Sequence, residues 1–207
     1  MKEKINDLAI DYGEIILDSE LPEGLLQEIP FLKSIYNLGK ITSSVPEMIF
    51  AAKVRRFLEA VNKHKHPKKS EIKESIESDP KKRDWLVEVT TLSLQQSDRL
   101  EKCELLGVIF CALLDGLIND EEYSGLYHAV LKSDLTVLKA FVKEARIAVK
   151  NPKKFLRIGY ESLIAGNLTR SSGVASRDGS GTATLPTQLG ECFLGVVDEY
   201  LNDNQAW

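Results

Sequence analysis

The side chains in this sequence best suited to chemistry are cations. Lys53, Arg55 and Arg56 stand together in KVRR, Lys63, Lys65, Lys68 and Lys69 in NKHKHPKK, and Lys81, Lys82 and Arg83 in PKKR. A second group, Lys153, Lys154 and Arg157, opens the predicted helix Pro152 to Ala165, and Arg170 and Arg177 follow beside a glycine- and serine-rich turn. Cations at a helix start act together with the free backbone donors and the helix dipole, an arrangement that holds phosphates. Lys153, Lys154, Arg157, Arg170 and Arg177 are therefore the candidate ligand-binding residues for an anionic oligonucleotide or phosphate. The segment 153–165 offers mainly Lys153, Lys154 and Arg157, clustered at its start, so sequence-specific reading is not expected. The competing reading is a solvated helix face and a purely structural hairpin.

Catalytic groups find no arrangement. GxSxG, Walker A, HExxH and GxGxxG are all absent. Of the three histidines, His64 and His66 stand two apart with no third ligand nearby, and His128 in GLYHAV reads as a partly buried structural residue. Cys103, Cys111 and Cys192 lie in apolar surroundings without CxxC spacing and read as small buried hydrophobes in a reducing compartment. Asp115, Gly116, Ile118, Glu121 and Glu122 form DGxIxxEE, which lacks the DxDxDG alternation of a calcium loop and reads as a turn. The expectation is a protein without catalytic residues, metal or cofactor.

The net charge of −4 conceals a gradient: residues 1 to 30 carry eight acidic side chains against two lysines, whereas residues 53 to 83 are basic. Such a gradient steers anionic partners or lipid surfaces to the middle of the chain, or pairs subunits head to middle. Charged residues at 28 % and hydrophobic ones at 43 % are ordinary globular usage. The start, MKEKINDLAIDYGE, does not have the pattern of a secretory signal, and no uncharged stretch reaches the roughly eighteen residues of a membrane span. A cytoplasmic protein is expected, with inner-membrane association open to an amphipathic segment or to several copies sharing polar faces.

Periodicity predicts a mainly α fold: a multi-helix bundle with a small C-terminal winged-helix-like helix-hairpin-helix element. An apolar stripe from Leu25 to Ile41 is interrupted by Pro30, and a restart at Ser44, with Glu47 three residues on, has the spacing of a capping box before a helix from 45 to 63. After the breaker HKHPKKS come a short polar helix at 70–78 and one from Pro80 to Gln96 carrying Trp85, Leu86, Val89 and Leu92, with Trp85 read as a core anchor. A buried helix over Leu105 to Leu114 is closed by Gly116, and further helices are capped by Asn119 or Asp120 and by Ser133 or Asp134. Pro152 to Ala165 is closed by Gly166, then strands at 167–171 and 181–186 precede a helix over 187–202. Composition divides the chain into an acidic arm with amphipathic helices (1–66), a helical core (67–150) and the C-terminal module (151–207).

The stretch SSVPEMIFAAKVRRFL places greasy residues directly before the arginine pair. Ile41, Val45, Met48, Ile49, Phe50, Ala52, Lys53, Arg55 and Arg56 are the candidate membrane or oligomer interface. Gly39, Ser43, Ser44, Ala51 and Ala52 would permit close helix approach between subunits, and the cations would sit at headgroup level.

The same region carries a resemblance. EIPFLKSIYNLGKITSSVPEMIFAAKVRRFLEAVN, at Ile29, Pro30, Leu32, Lys33, Leu38, Lys40, Ile49, Phe50, Lys53, Phe57 and Leu58, together with DGxIxxEE and with Leu189, Gly190, Phe193 and Leu194 of the last helix, resembles small bacterial proteins of anti-phage loci, the membrane-effector subunits of two-gene systems of the Hailong type. The resemblance implies a homo-oligomeric, tetrameric ion channel, held shut by an oligodeoxyadenylate that a partner nucleotidyltransferase makes, and released to depolarise the infected cell. Two rivals stay open: a soluble winged-helix-like DNA-binding or regulatory protein, and a helical scaffold or immunity partner without a ligand.

Overall fold

The computed structural model describes residues 29–39, 44–64, 74–76, 78–150, 161–175 and 182–201. Among them the fold is mainly helical with one two-stranded sheet, as the periodicity predicts. The chain forms two units divided after Gly107. The compositional divisions near 66 and 150 border 65–73 and 151–160, which lie outside the described residues.

The first unit contains α1 (Pro30–Gly39), α2 (Val45–Lys63), α3 (Pro80–Gln96) and the beginning of α4 (Leu100–Leu114). Proline opens α1, where its missing N–H costs nothing. Leu32 and Ile35, three apart, are fully buried, and α1 packs against α2 and α3. Along α2 the buried residues Ala51, Val54, Leu58 and Val61 recur at three- and four-residue steps. Ser44 is the N-cap residue of α2 and Pro46 lies in its first turn, but the Ser44 side chain makes no capping hydrogen bond, so the capping box read at Ser44 and Glu47 is not formed. Asp79 caps α3 by accepting from the backbone N–H groups of Lys81 (3.0 Å) and Lys82 (3.2 Å).

The inward face of α3 is not made of its apolar residues alone, and Trp85 is not the core anchor expected. Leu86 is buried, but Trp85 and Val89 are half-buried and Leu92 is 46 % exposed. The stripe that faces the core is Leu86, Thr90, Ser93 and Ser97, at steps of four, three and four. Of its hydroxyls, that of Ser97 is satisfied by the backbone: Ser97 Oγ donates to the Ser93 carbonyl at 3.0 Å. In α4 every residue from Leu105 to Leu114 is buried.

The second unit begins within α4. That helix ends in a Schellman motif: Leu117 N–H reaches the Ala112 carbonyl, Gly116 N–H reaches Leu113, and Gly116 takes the required positive φ of 68°. Next come α5 (Asp120–Lys132), α6 (Leu135–Lys150), α7 (Glu161–Ala165), β1 (Thr169–Ala175), β2 (Thr182–Pro186) and α8 (Gln188–Tyr200). Asn119 starts α5 with a complete capping box, its side chain accepting from Glu122 N–H while the Glu122 carboxylate accepts from Asn119 N–H, both at 2.9 Å. The core is aromatic: Tyr123 lies 4.2 Å from Tyr127 and meets Phe110 edge-on, and Phe141 stacks with Phe193 at 6.3 Å. His128 points outward on α5 rather than being partly buried, because buried Tyr127 and Ala129 beside it take the inner face.

The strands pair antiparallel in the register Thr169–Pro186, Arg170–Leu185 and Ser171–Thr184, with an irregularity before Ala175–Thr182. The C-terminal part is thus the expected helix, hairpin, helix. Its closing residue is not Gly166, however. Asn167 adopts the left-handed conformation (φ 57°), which asparagine tolerates, while Gly166 is needed for space, since a Cβ there would lie 3.1 Å from the Ala129 Cα. Thr187 links hairpin and α8: its N–H donates to the Leu168 carbonyl, and its Oγ1 accepts from Gly190 N–H at 3.0 Å.

Candidate functional site

The candidate surface is the start of α2 together with the end of α1. Its apolar residues divide by helical phase. Val45 and Ile49, four apart and so on one face, are 39 % and 36 % exposed, and Leu38 near the end of α1 is 44 % exposed. Met48 and Phe50 are half-buried. Ala52, expected at an interface, is 2 % exposed and belongs to the core of its own unit. Gly39 and Ala51 are buried too, and Gly39 lies against Val54, where an added Cβ would come within 3.3 Å. Of the small residues read as an intersubunit packing surface, Gly39 thus lets α1 approach α2 within one chain, and Ala51 and Ala52 are buried within it. Ile41 falls outside the described residues.

One turn further along α2 the cations are held by partners. Lys53 Nζ donates to the Gln95 carbonyl at 3.0 Å. Arg55 Nε donates to Glu59 Oε1 at 2.7 Å, and Arg56 Nη2 donates to Glu104 Oε2 at 2.8 Å with its Nη1 3.8 Å from Glu59. These contacts tie α2 to the end of α3 and to α4. The Glu59 partner is legible as an i,i+4 pair with Arg55. Glu104 is not, being forty-eight positions from Arg56 with no local pattern to connect them.

Below this surface Lys102, almost fully buried, reaches Asp98 at 2.9 Å, and that hydrogen bond holds the Asp98 carboxyl below the usual carboxylate range. The Cys103 thiol is pushed up to about 11 by burial, which suits a packing role rather than a nucleophile.

Of the cations proposed for a ligand, Arg170 is described: it is exposed on β1, opposite Leu185. Lys153, Lys154, Arg157 and Arg177 lie outside the described residues. The DGxIxxEE residues have structural duties: Asp115 accepts from the Tyr200 hydroxyl, Gly116 closes α4, Ile118 is buried and Glu122 completes a capping box. Among the described residues no three His, Cys, Asp or Glu gather as a metal site, and no helix is long and apolar enough to cross a membrane. No family model matches the chain, and neither a curated protein nor a solved structure matches it.

Proposed function

We propose that the protein is a homo-oligomeric, ion-channel-like effector of bacterial anti-phage defence, acting at the inner membrane from the cytoplasmic side and gated by an anionic oligonucleotide that a partner nucleotidyltransferase makes. The reading takes its biology from the resemblance set out above. The structural observation that carries it is the exposure of Leu38, Val45 and Ile49 beside the cationic turn of α2. Apolar side chains next to Lys53, Arg55 and Arg56 suit a surface that copies of the chain share or that meets anionic lipid.

The test is release of an ion-sensitive dye from vesicles containing anionic lipid. The purified protein should release the dye, an oligodeoxyadenylate should suppress the release, and Ile49→Lys should abolish it. Vesicles that stay tight without nucleotide would refute the reading.

A second reading is favoured by one observation, exposed Arg170 on the first strand of a hairpin flanked by helices: a soluble winged-helix-like DNA-binding protein. It requires a salt-dependent mobility shift with duplex DNA, weakened by Arg170→Gln and accompanied by no dye release.

A further inference from the structure

We propose that the cleft between α2 and the start of α4 is an oxyanion site, in which Arg55 and Arg99 hold a phosphoryl or carboxylate group. The cleft encloses about 520 Å³, within the range of roughly 300–1,000 Å³ usual for small-molecule sites. Arg55, Arg56 and Glu59 line it from α2, and Asp98, Arg99 and Glu101 line it from the start of α4.

The donors outnumber their acceptors. Arg55 spends its Nε on Glu59, yet its Nη1 is buried with no hydrogen-bond partner. A buried N–H of a charged group left without an acceptor is costly, and oxygen on a ligand entering the cleft would satisfy it. The acids there are largely engaged: Glu59 by Arg55 and Arg56, and Asp98 by Lys102. Among the described residues Arg99 makes no ion pair, which leaves a second guanidinium for the same ligand. Two guanidinium forks suit a group with two or more acceptor oxygens. The N-terminus of the fifteen-residue α4 adds a favourable dipole. Glu101 opposes the site, since it too makes no ion pair among the described residues and would face the incoming anion.

This site is distinct from the C-terminal cations and does not rest on the membrane reading, so tight vesicles would leave it standing. The full-length protein is titrated in a calorimeter with inorganic pyrophosphate and, separately, with succinate at constant ionic strength. One or both should bind saturably at one site, pyrophosphate alone marking a phosphoryl site and succinate alone a carboxylate site. Arg99→Gln, a change at an exposed side chain, should weaken binding about tenfold, the loss of one charge-assisted contact. Arg55→Lys, which keeps the charge but removes the fork, should weaken it similarly, and Glu101→Gln should tighten it. Lys132→Gln, at an exposed residue of α5 outside the cleft, should leave it unchanged. Absence of binding by both anions, or a titration unaltered by Arg99→Gln, overturns the proposal. If Arg55→Lys fails to fold, Arg99→Gln and Glu101→Gln still decide.

Discussion

Gly107 on α4 stands so close to Ala60 on α2 that a Cβ added at 107 would lie 2.7 Å from the Ala60 Cβ and 2.7 Å from the Phe57 carbonyl oxygen. The two helices touch through their backbones at this point, and the cation-bearing turn of α2 is fixed against α4 a turn away. Gly107→Ala should therefore cost about 1–3 kcal/mol by overpacking, read as a lower midpoint in urea unfolding. Gly195→Ala on α8, where nothing lies within 4 Å, should instead stabilise by about 0.5–1 kcal/mol, because alanine is the better helix former. Equal effects at the two positions would show that the close approach is not real.

The reciprocal hydrogen bonds of Asn119 and Glu122 give the second expectation. Asn119→Ala removes the acceptor that satisfies Glu122 N–H and should cost about 0.5–2 kcal/mol in unfolding free energy. Asn119→Asp keeps the acceptor and should restore most of the loss. Failure of that rescue would contradict capping as the residue's role.

The thiols predict how stability depends on pH. Burial pushes Cys103 up to about 11, and burial with the nearby Glu122 carboxylate pushes Cys192 to about 11, against an ordinary value near 9. The folded protein therefore keeps protons that the unfolded chain has already lost, so stability is complete below about pH 9 and falls as pH rises from 9 toward 11. Tyr200, raised by burial and by donating to Asp115, acts in the same direction at higher pH. Urea midpoints at pH 8 and pH 10.5 measure the fall, and replacing Cys103 by Ala should reduce it.

The exposed apolar face gives the fourth. Val45→Lys and Ile49→Lys alter side chains more than a third exposed, so the fold should lose no more than about 0.5 kcal/mol. Self-association should nevertheless weaken strongly, because each would place a charge in the surface proposed to be shared. Circular dichroism melts of diluted protein and light scattering of concentrated protein separate the two effects.

How far the sequence could be read follows from what each residue answers to. The helices were legible because periodicity and caps are local: Asn119 and Gly116 perform the duties their neighbours imply. The face of α3 was not, since hydropathy ranks Leu92 above Thr90, whereas Thr90 is buried and Leu92 is not. Hydropathy carries no term for a buried hydroxyl that the backbone satisfies, as the Ser93 carbonyl satisfies Ser97 Oγ. At the candidate surface, Val45 and Ile49 stand out in sequence as greasy residues before cations and are exposed in the structure. Gly39, Ala51 and Ala52 mislead because a small residue shows that something comes close, not whether it belongs to the same chain. The arginine cleft was invisible, because Arg99 and Arg55 come to line one cleft only through the packing of α4 on α2.

Sedimentation velocity of the wild-type protein in detergent-free buffer tests the central claim, that copies of the chain gather over Leu38, Val45 and Ile49, most directly. The expected result is a closed assembly of several 23.2 kDa chains that Ile49→Lys dissociates. A single 23.2 kDa particle at all concentrations, the same with and without the substitution, would contradict it.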